Sequence, residues 1–448
     1  MNTSPERTKI LQPDFISNLT KGVYVDYINN VFEFTITLQG SIQSNYNQKF
    51  SFKNCAFKRI EFYNVTFGSS IYFHDCEIEE DFIINNCVFN EDLRIHYVSS
   101  KWIKFWSNDF LSGIEILDFK KVDNLTLQIK KALGKVQVSQ WHVNAIKAQD
   151  IQITFEQIKD CQIQLTKFVS KKVVIQFSHQ FLGEPVAISD CKVDELSIYF
   201  LKNKAYNSAR ISRIESAKIT FLSLHNDGWM TLSDIKNGAE KKDSLFTVQD
   251  SYLGNAELYH VNLDSFARVQ IYNCHIQNII PVNVKWNFNT EAYEGINREY
   301  QRELFRQLKN VCSRNMDKVN QLQFESMEMH FYSKQLTFKN NFQDWFILKS
   351  NQISNNHGSN WLRPIGWLLL FSFILYTIII CISKCSGNFD VGNFLAFIFP
   401  LHNISELLCS NPSNILHPDG VRFVDVLQKL ISSYFIFQFL RSFRKYVN

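Results

Sequence analysis

The sequence predicts an all-β solenoid over its first two-thirds, then an α-helical hairpin, then a C-terminal α-helical transmembrane domain. Three observations carry that prediction. Apolar dyads recur every five or six residues from Cys55 to Ile276, the apolar period becomes helical at Glu291, and twenty uncharged residues, PIGWLLLFSFILYTIIICIS, lie between Arg363 and Lys384. The 448 residues divide into an N-terminal cap (1–30), a β-helix (31–288), an α-helical connector (289–350) and a membrane domain (351–448).

In the solenoid region one series of dyads reads Cys55/Phe57, Val65/Phe67, Cys76/Ile78, Cys87/Phe89. A second, interleaved, reads Ile60/Phe62, Ile71/Phe73, Phe82/Ile84, Leu93/Ile95. The pattern returns around Ile151/Ile153, Cys161/Ile163, Cys191/Val193 and Ala256/Leu258. A 3.6-residue helical period does not fit these steps, and antiparallel hairpins call for longer strands and Gly-rich turns. Very short strands with a corner every five or six residues fit a wound chain whose dyads point inward. Turn-prone pairs such as Lys53-Asn54, Tyr63-Asn64, His74-Asp75, Asn85-Asn86 and Ser189-Asp190 would form the corners. Four sides give coils of roughly 20–22 residues, about a dozen in all, stacked at ~4.8 Å. The cysteines in the dyads (Cys55, Cys76, Cys87, Cys161, Cys191, Cys274) stand where Val65 and Val261 stand elsewhere, without a C-x-x-C pair, and read as small inward hydrophobes rather than metal ligands.

The segments NCAFKRIEFYNVTF and NCVFNEDLRI resemble degenerate pentapeptide repeats. That resemblance implies a right-handed quadrilateral β-helix, and it implies a fold rather than an activity.

From Glu291 onward Ile296, Tyr300, Leu304, Leu308 and Val311 fall at steps of three or four, and Val319, Leu322, Met327, Phe331 and Leu336 continue after a polar break. This predicts an αα-hairpin, which either caps the open end of the solenoid or transmits between solenoid and membrane.

The uncharged run after Arg363 has the ~20 residues needed to span a bilayer, with Trp361 and Trp367 at interfacial positions. A second stretch, 391–408, is short, is broken by Pro400, and suits a re-entrant segment. A third, 421–440, is long enough to span but carries Asp425, Gln428, Lys429, Ser432 and Ser433 along one face. It is either a pore- or interface-lining span or an amphipathic helix on the membrane surface. Basic residues precede the first span and close the chain (Arg441, Arg444, Lys445), whereas the segment between holds only Lys384. The positive-inside rule then expects spans at about 364–383 and 421–440 with both ends cytoplasmic. Trp361, Arg363, Trp367, Arg441, Arg444 and Lys445 are the expected interface anchors, and His402, Asn403, Glu406, Asp425, Lys429, Ser432 and Ser433 the candidate pore-lining residues. A Cys385–Cys409 bridge is an open alternative.

SNNHGSNWLRPIGWLLL and SSYFIFQFLRSFRKY resemble the membrane end of bacterial pentapeptide-repeat proteins with a two-transmembrane, ion-channel-like C-terminal domain. The resemblance implies a homo-oligomeric channel or membrane-perturbing protein in the plasma (inner) membrane. Its β-helix would sense or bind an unknown cytosolic protein or ligand. The potassium filter Thr-Val-Gly-Tyr-Gly is missing; the region reads FPLHNISELL. A membrane-tethered scaffold whose β-helix recruits partners is the alternative.

Charge narrows the functional classes. Residues 1–290 carry 31 basic and 31 acidic side chains, and residues 291–448 carry 16 and 12, which supplies the net +4. A neutral solenoid argues against nucleic acid as a partner. The N-terminus lacks the apolar run of a signal peptide, so the bulk is expected in the cytosol. No phosphate-binding glycine loop, nucleophile elbow, zinc motif or calcium loop occurs, so no enzyme activity, cofactor or metal is expected.

Overall fold

The computed structural model describes residues 8–15, 25–40, 45–46, 49–119, 121–140, 148–178, 181–182, 186–200, 209–225, 228–295, 297–339, 341–358, 360–383, 390–404 and 418–443. They form two compact units, Met1–Ile296 and Asn297–Asn448.

The first unit is a parallel β-solenoid over residues 8–282. Each coil lies in register on the next: Phe50 faces Ile71, Ile71 faces Leu93, Leu93 faces Ile114, and Ile114 faces Val136. The dyads point inward as expected. All sixteen residues of the two series between Cys55 and Ile95 are at most 4% exposed. Because like faces like, aromatic side chains stack at the rung spacing. Phe67, Phe89 and Phe110 lie 5.0 and 5.1 Å apart, and Phe155, Phe177 and Phe200 lie 5.1 and 4.9 Å apart.

The corners explain the polar pairs. Asn54, Asn64, Asp75, Asn86 and Asp190 all hold φ between 53° and 59°, the left-handed region that Asn and Asp tolerate best among residues with a Cβ. Each such turn aims its backbone N–H at the next coil: Asn54 N–H donates to His74 O at 2.9 Å, and Asp75 N–H to His96 O at 3.0 Å. Corner side chains add their own ladder, with Asn54 Nδ2 donating to Asn29 Oδ1 at 2.6 Å and Asn86 Nδ2 to Asn64 Oδ1 at 2.8 Å.

The residue after each corner turns inward, which places the cysteines. Cys55 Sγ donates to Tyr27 O at 3.3 Å, and Cys76 Sγ to Phe52 O at 3.4 Å. Burial pushes the Cys87 thiol up to about 11 and that of Cys191 up to about 12, so both stay protonated and unreactive at neutral pH. No three metal-ligating side chains gather among the described residues. Asn108 takes the same inward position one coil above Cys87. It is fully buried because its Oδ1 accepts the Cys87 N–H at 2.8 Å and its Nδ2 donates to Ile84 O at 3.0 Å.

The coils are fewer and longer than the dyad spacing alone predicts: about ten turns, not a dozen. Val136 faces Ile163 and Met230 faces Ala256, steps longer than 20–22 residues, because strands run on around corners there and extra residues are accommodated between rungs. One irregularity falls at Gly134, where the pairing register shifts and φ is +81°. At the start of the unit Phe15 packs on Tyr27 and Phe32, with ring centroids 5.8 Å from each. At its end Tyr293 is buried, its hydroxyl donating to Asn287 O at 2.8 Å.

The second unit is helical: α1 (Arg298–Arg314), α2 (Lys318–Gln335), α3 (Phe342–Asn355), α4 (Leu362–Ser383), α5 (Val391–Ile398) and α6 (Pro418–Phe443). The expected hairpin is α1 and α2. Phe305 of α1 stacks on Phe331 of α2 at 5.3 Å, Asp317 caps α2 by accepting the Asn320 N–H at 3.2 Å, and Lys309 pairs with the buried Glu328 at 2.6 Å. α4 and α6 are both long and apolar enough to cross a membrane and are the two candidate spans.

Candidate functional site

The chemistry-bearing residues collect where α4, α5 and α6 meet. α4 and α6 run antiparallel. Trp361, just before α4, packs on Phe443 near the end of α6 at 5.6 Å, whereas Tyr376 and Ile379 share a core with Val421 and Val424 near its start. α5 completes that core with Phe397, 5.4 Å from Tyr376. α5 begins at Asp390, whose carboxylate accepts the Gly392 N–H at 3.0 Å, and stops before Pro400, whose ring cannot continue a helix.

The polarity of these helices is inverted relative to a soluble protein. On α6 the polar residues Asp425, Gln428, Ser432, Gln438 and Ser442 are buried, while Phe423, Val426, Leu430, Phe437 and Leu440 are exposed. α4 turns Leu369, Leu370, Phe373 and Ile374 outward and buries Ser372. Only 22% of the apolar window of α4 and 33% of that of α6 is buried, whereas the core helix of a soluble protein would be mostly covered. The polar face of 421–440 is turned toward α4 and α5.

Two polar clusters occupy that interface. In the first, Gln428 Nε2 donates to Ser372 Oγ at 2.7 Å and to Ser432 Oγ at 2.8 Å. In the second, the Asp425 carboxylate sits between His402 Nε2 at 2.7 Å and Lys429 Nζ at 2.8 Å. His402 Nδ1 lies 2.6 Å from Phe399 O, an acceptor only, so that nitrogen carries a hydrogen. Of these groups Asp425 and Lys429 belong to a candidate span, with Asp425 buried and Lys429 34% exposed.

Of the candidate pore-lining residues, the structure thus brings together His402, Asp425 and Lys429, and adds Ser432 through Gln428. The His402 and Asp425 side chains are 2% and 9% exposed, so they face the interior of one chain, whereas Asn403 and Ser433 are exposed. Glu406 lies outside the described residues, as do Cys385, Cys409, Arg444 and Lys445. Trp361, Arg363, Trp367 and Arg441 gather at the opposite end of the α4–α6 pair, where Arg441 faces Glu325 at 3.8 Å.

The sequence reading missed α3. Phe338, Phe342 and Phe346 at steps of four are its signal, and Asn356 (φ 49°) with Gly358 (φ 89°) is its stop. α3 docks on α6 by side-chain amides: Gln438 Oε1 accepts from Asn355 Nδ2 at 2.5 Å, and its Nε2 donates to Asn351 Oδ1 at 3.0 Å. His357, beyond α3, is buried with its Nε2 unpartnered, and burial pushes it down to about 4, helped by His330, Arg441 and Lys349.

No protein-family model, no curated protein and no solved structure matches the chain.

Proposed function

We propose that this protein is a membrane-anchored β-solenoid that recruits a cytosolic partner on its coil surface. The observation that carries the reading is the inverted polarity of α4 and α6, polar inside and apolar outside, which water would not tolerate and a bilayer favours. The polar groups of the hairpin are largely used up within one chain, so anchoring needs no second copy. With the α4 start and the α6 end on one side, the basic residues there support a cytoplasmic position for both in a plasma (inner) membrane protein. The solenoid offers a long, charge-balanced side surface, suited to a protein or small ligand rather than to nucleic acid or catalysis. Replacing residues 360–448 by an unrelated membrane anchor tests this: partner recruitment survives if the module is a tether. Its loss with intact membrane delivery overturns the reading.

A second reading, a homo-oligomeric ion-channel-like protein, is favoured by one observation. Ser433 is exposed on α6, and the Lys429 side chain, one helical turn before it, is 34% exposed. A pore between copies would be lined by those two residues, with the His402–Asp425 pair behind them.

A further inference from the structure

An apolar concavity of the helical unit lies away from the charged trio. A groove of about 490 Å³ opens between α3, α4 and α6, walled by Phe346, Ile347 and Ile353 of α3, Trp367 and Phe371 of α4, and Phe435 of α6. We propose that this groove holds one acyl chain of a membrane phospholipid; the inference rests on the membrane reading above.

Three features commit it to that occupant. First, most polar side chains in the wall are spoken for, with the Ser350 hydroxyl as the exception: Ser354 bonds Tyr434 at 3.2 Å, Asn351 accepts from Gln438 at 3.0 Å, and Trp367 Nε1 donates to Ile353 O at 3.1 Å. The groove therefore favours a largely apolar occupant, and a polar ligand would be stripped of water with only the Ser350 hydroxyl in return. Second, the groove is continuous with the lipid-facing surface of the spans, since Phe371 and Tyr434 belong both to its wall and to the exposed side of α4 and α6. Third, α3 carries Phe342, Phe346, Ile347 and Ile353 exposed beside Asp344 and Lys349, the make-up of a helix lying at the headgroup boundary. A tail entering from the bilayer would cover Phe346, Ile347 and Ile353, which nothing in the chain covers among the described residues.

The test uses the full chain in nanodiscs of a phospholipid bearing a photoactivatable diazirine at the end of one acyl chain, with labelled residues mapped by mass spectrometry. Label is expected on Phe346, Ile353 and Phe435, as well as on the outward positions Leu369 and Ile378. Ser350→Phe, which fills the groove, is expected to lose the groove label and keep the outward label. Label at Leu369 and Ile378 but not in the groove of the wild type overturns the acyl-chain site while leaving the membrane reading intact. The same pattern in a particle of twice the monomer mass assigns the groove to a second copy and overturns it equally. No label at any of these positions overturns the membrane reading itself. Groove label that persists undiminished in Ser350→Phe also overturns the site, and Ile347→Trp serves as a second filling variant if the first does not fold.

Discussion

At Gly134 a single hydrogen decides whether two coils can meet. A Cβ there would lie 1.7 Å from Ser112 O, a backbone atom with nowhere to go, and φ is already +81°. Gly134→Ala is expected to cost about 3 kcal/mol or more, read as a lowered melting temperature by circular dichroism; an unchanged melt would show that the two coils can separate freely. His357 makes a pH prediction. Its folded value of about 4 lies below the ordinary 6.5, so the unfolded chain binds the proton first. The His357 contribution is fully present above pH 6.5, falls as pH drops toward 4, and levels off below that. His357→Gln should flatten stability across that window, and denaturant melts at pH 7 and pH 4.5 measure the difference.

At the scale of elements, the solenoid was legible because each rung repeats one rule: inward dyad, left-handed corner, inward dyad. Asn54, Asp75 and Cys76 announce themselves by type and spacing. The long coils around Val136 and Met230 were not legible, because residues inserted at a corner change neither the dyads nor the pairing on either side. The helical site was half legible. Asp425, Lys429 and His402 stand out as polar residues in apolar sequence, but only tertiary structure shows that Asp425 of α6 is buried against His402, which follows α5. The docking of α3 depends on ordinary amides, Asn351, Asn355 and Gln438, which carry no sequence signal. The trio predicts its own asymmetry. Asp425→Ala strands Lys429 and His402 without an anion and should cost about 2 kcal/mol or more, whereas Ser433→Ala, exposed, should stay within about 0.5 kcal/mol. Unfolding of both variants in mixed detergent micelles compares them.

At the scale of the molecule, the anchored-solenoid and channel readings separate by mass. Light scattering on the nanodisc-embedded particle should give one copy for the tether. A closed ring of three or more copies, with ion flux changed by Lys429→Ala, would favour the channel. The solenoid unit has a further property that follows from its pairing. Every coil-to-coil interface is a bundle of parallel backbone hydrogen bonds loaded side by side, and the interfaces are joined in series. Tension along the coil axis therefore tests each interface in turn, and the interfaces with a break in their pairing register, the one at Gly134 among them, are expected to yield first. Pulled from its two ends, the solenoid is expected to open at one of these breaks into two shorter stacks, each still wound.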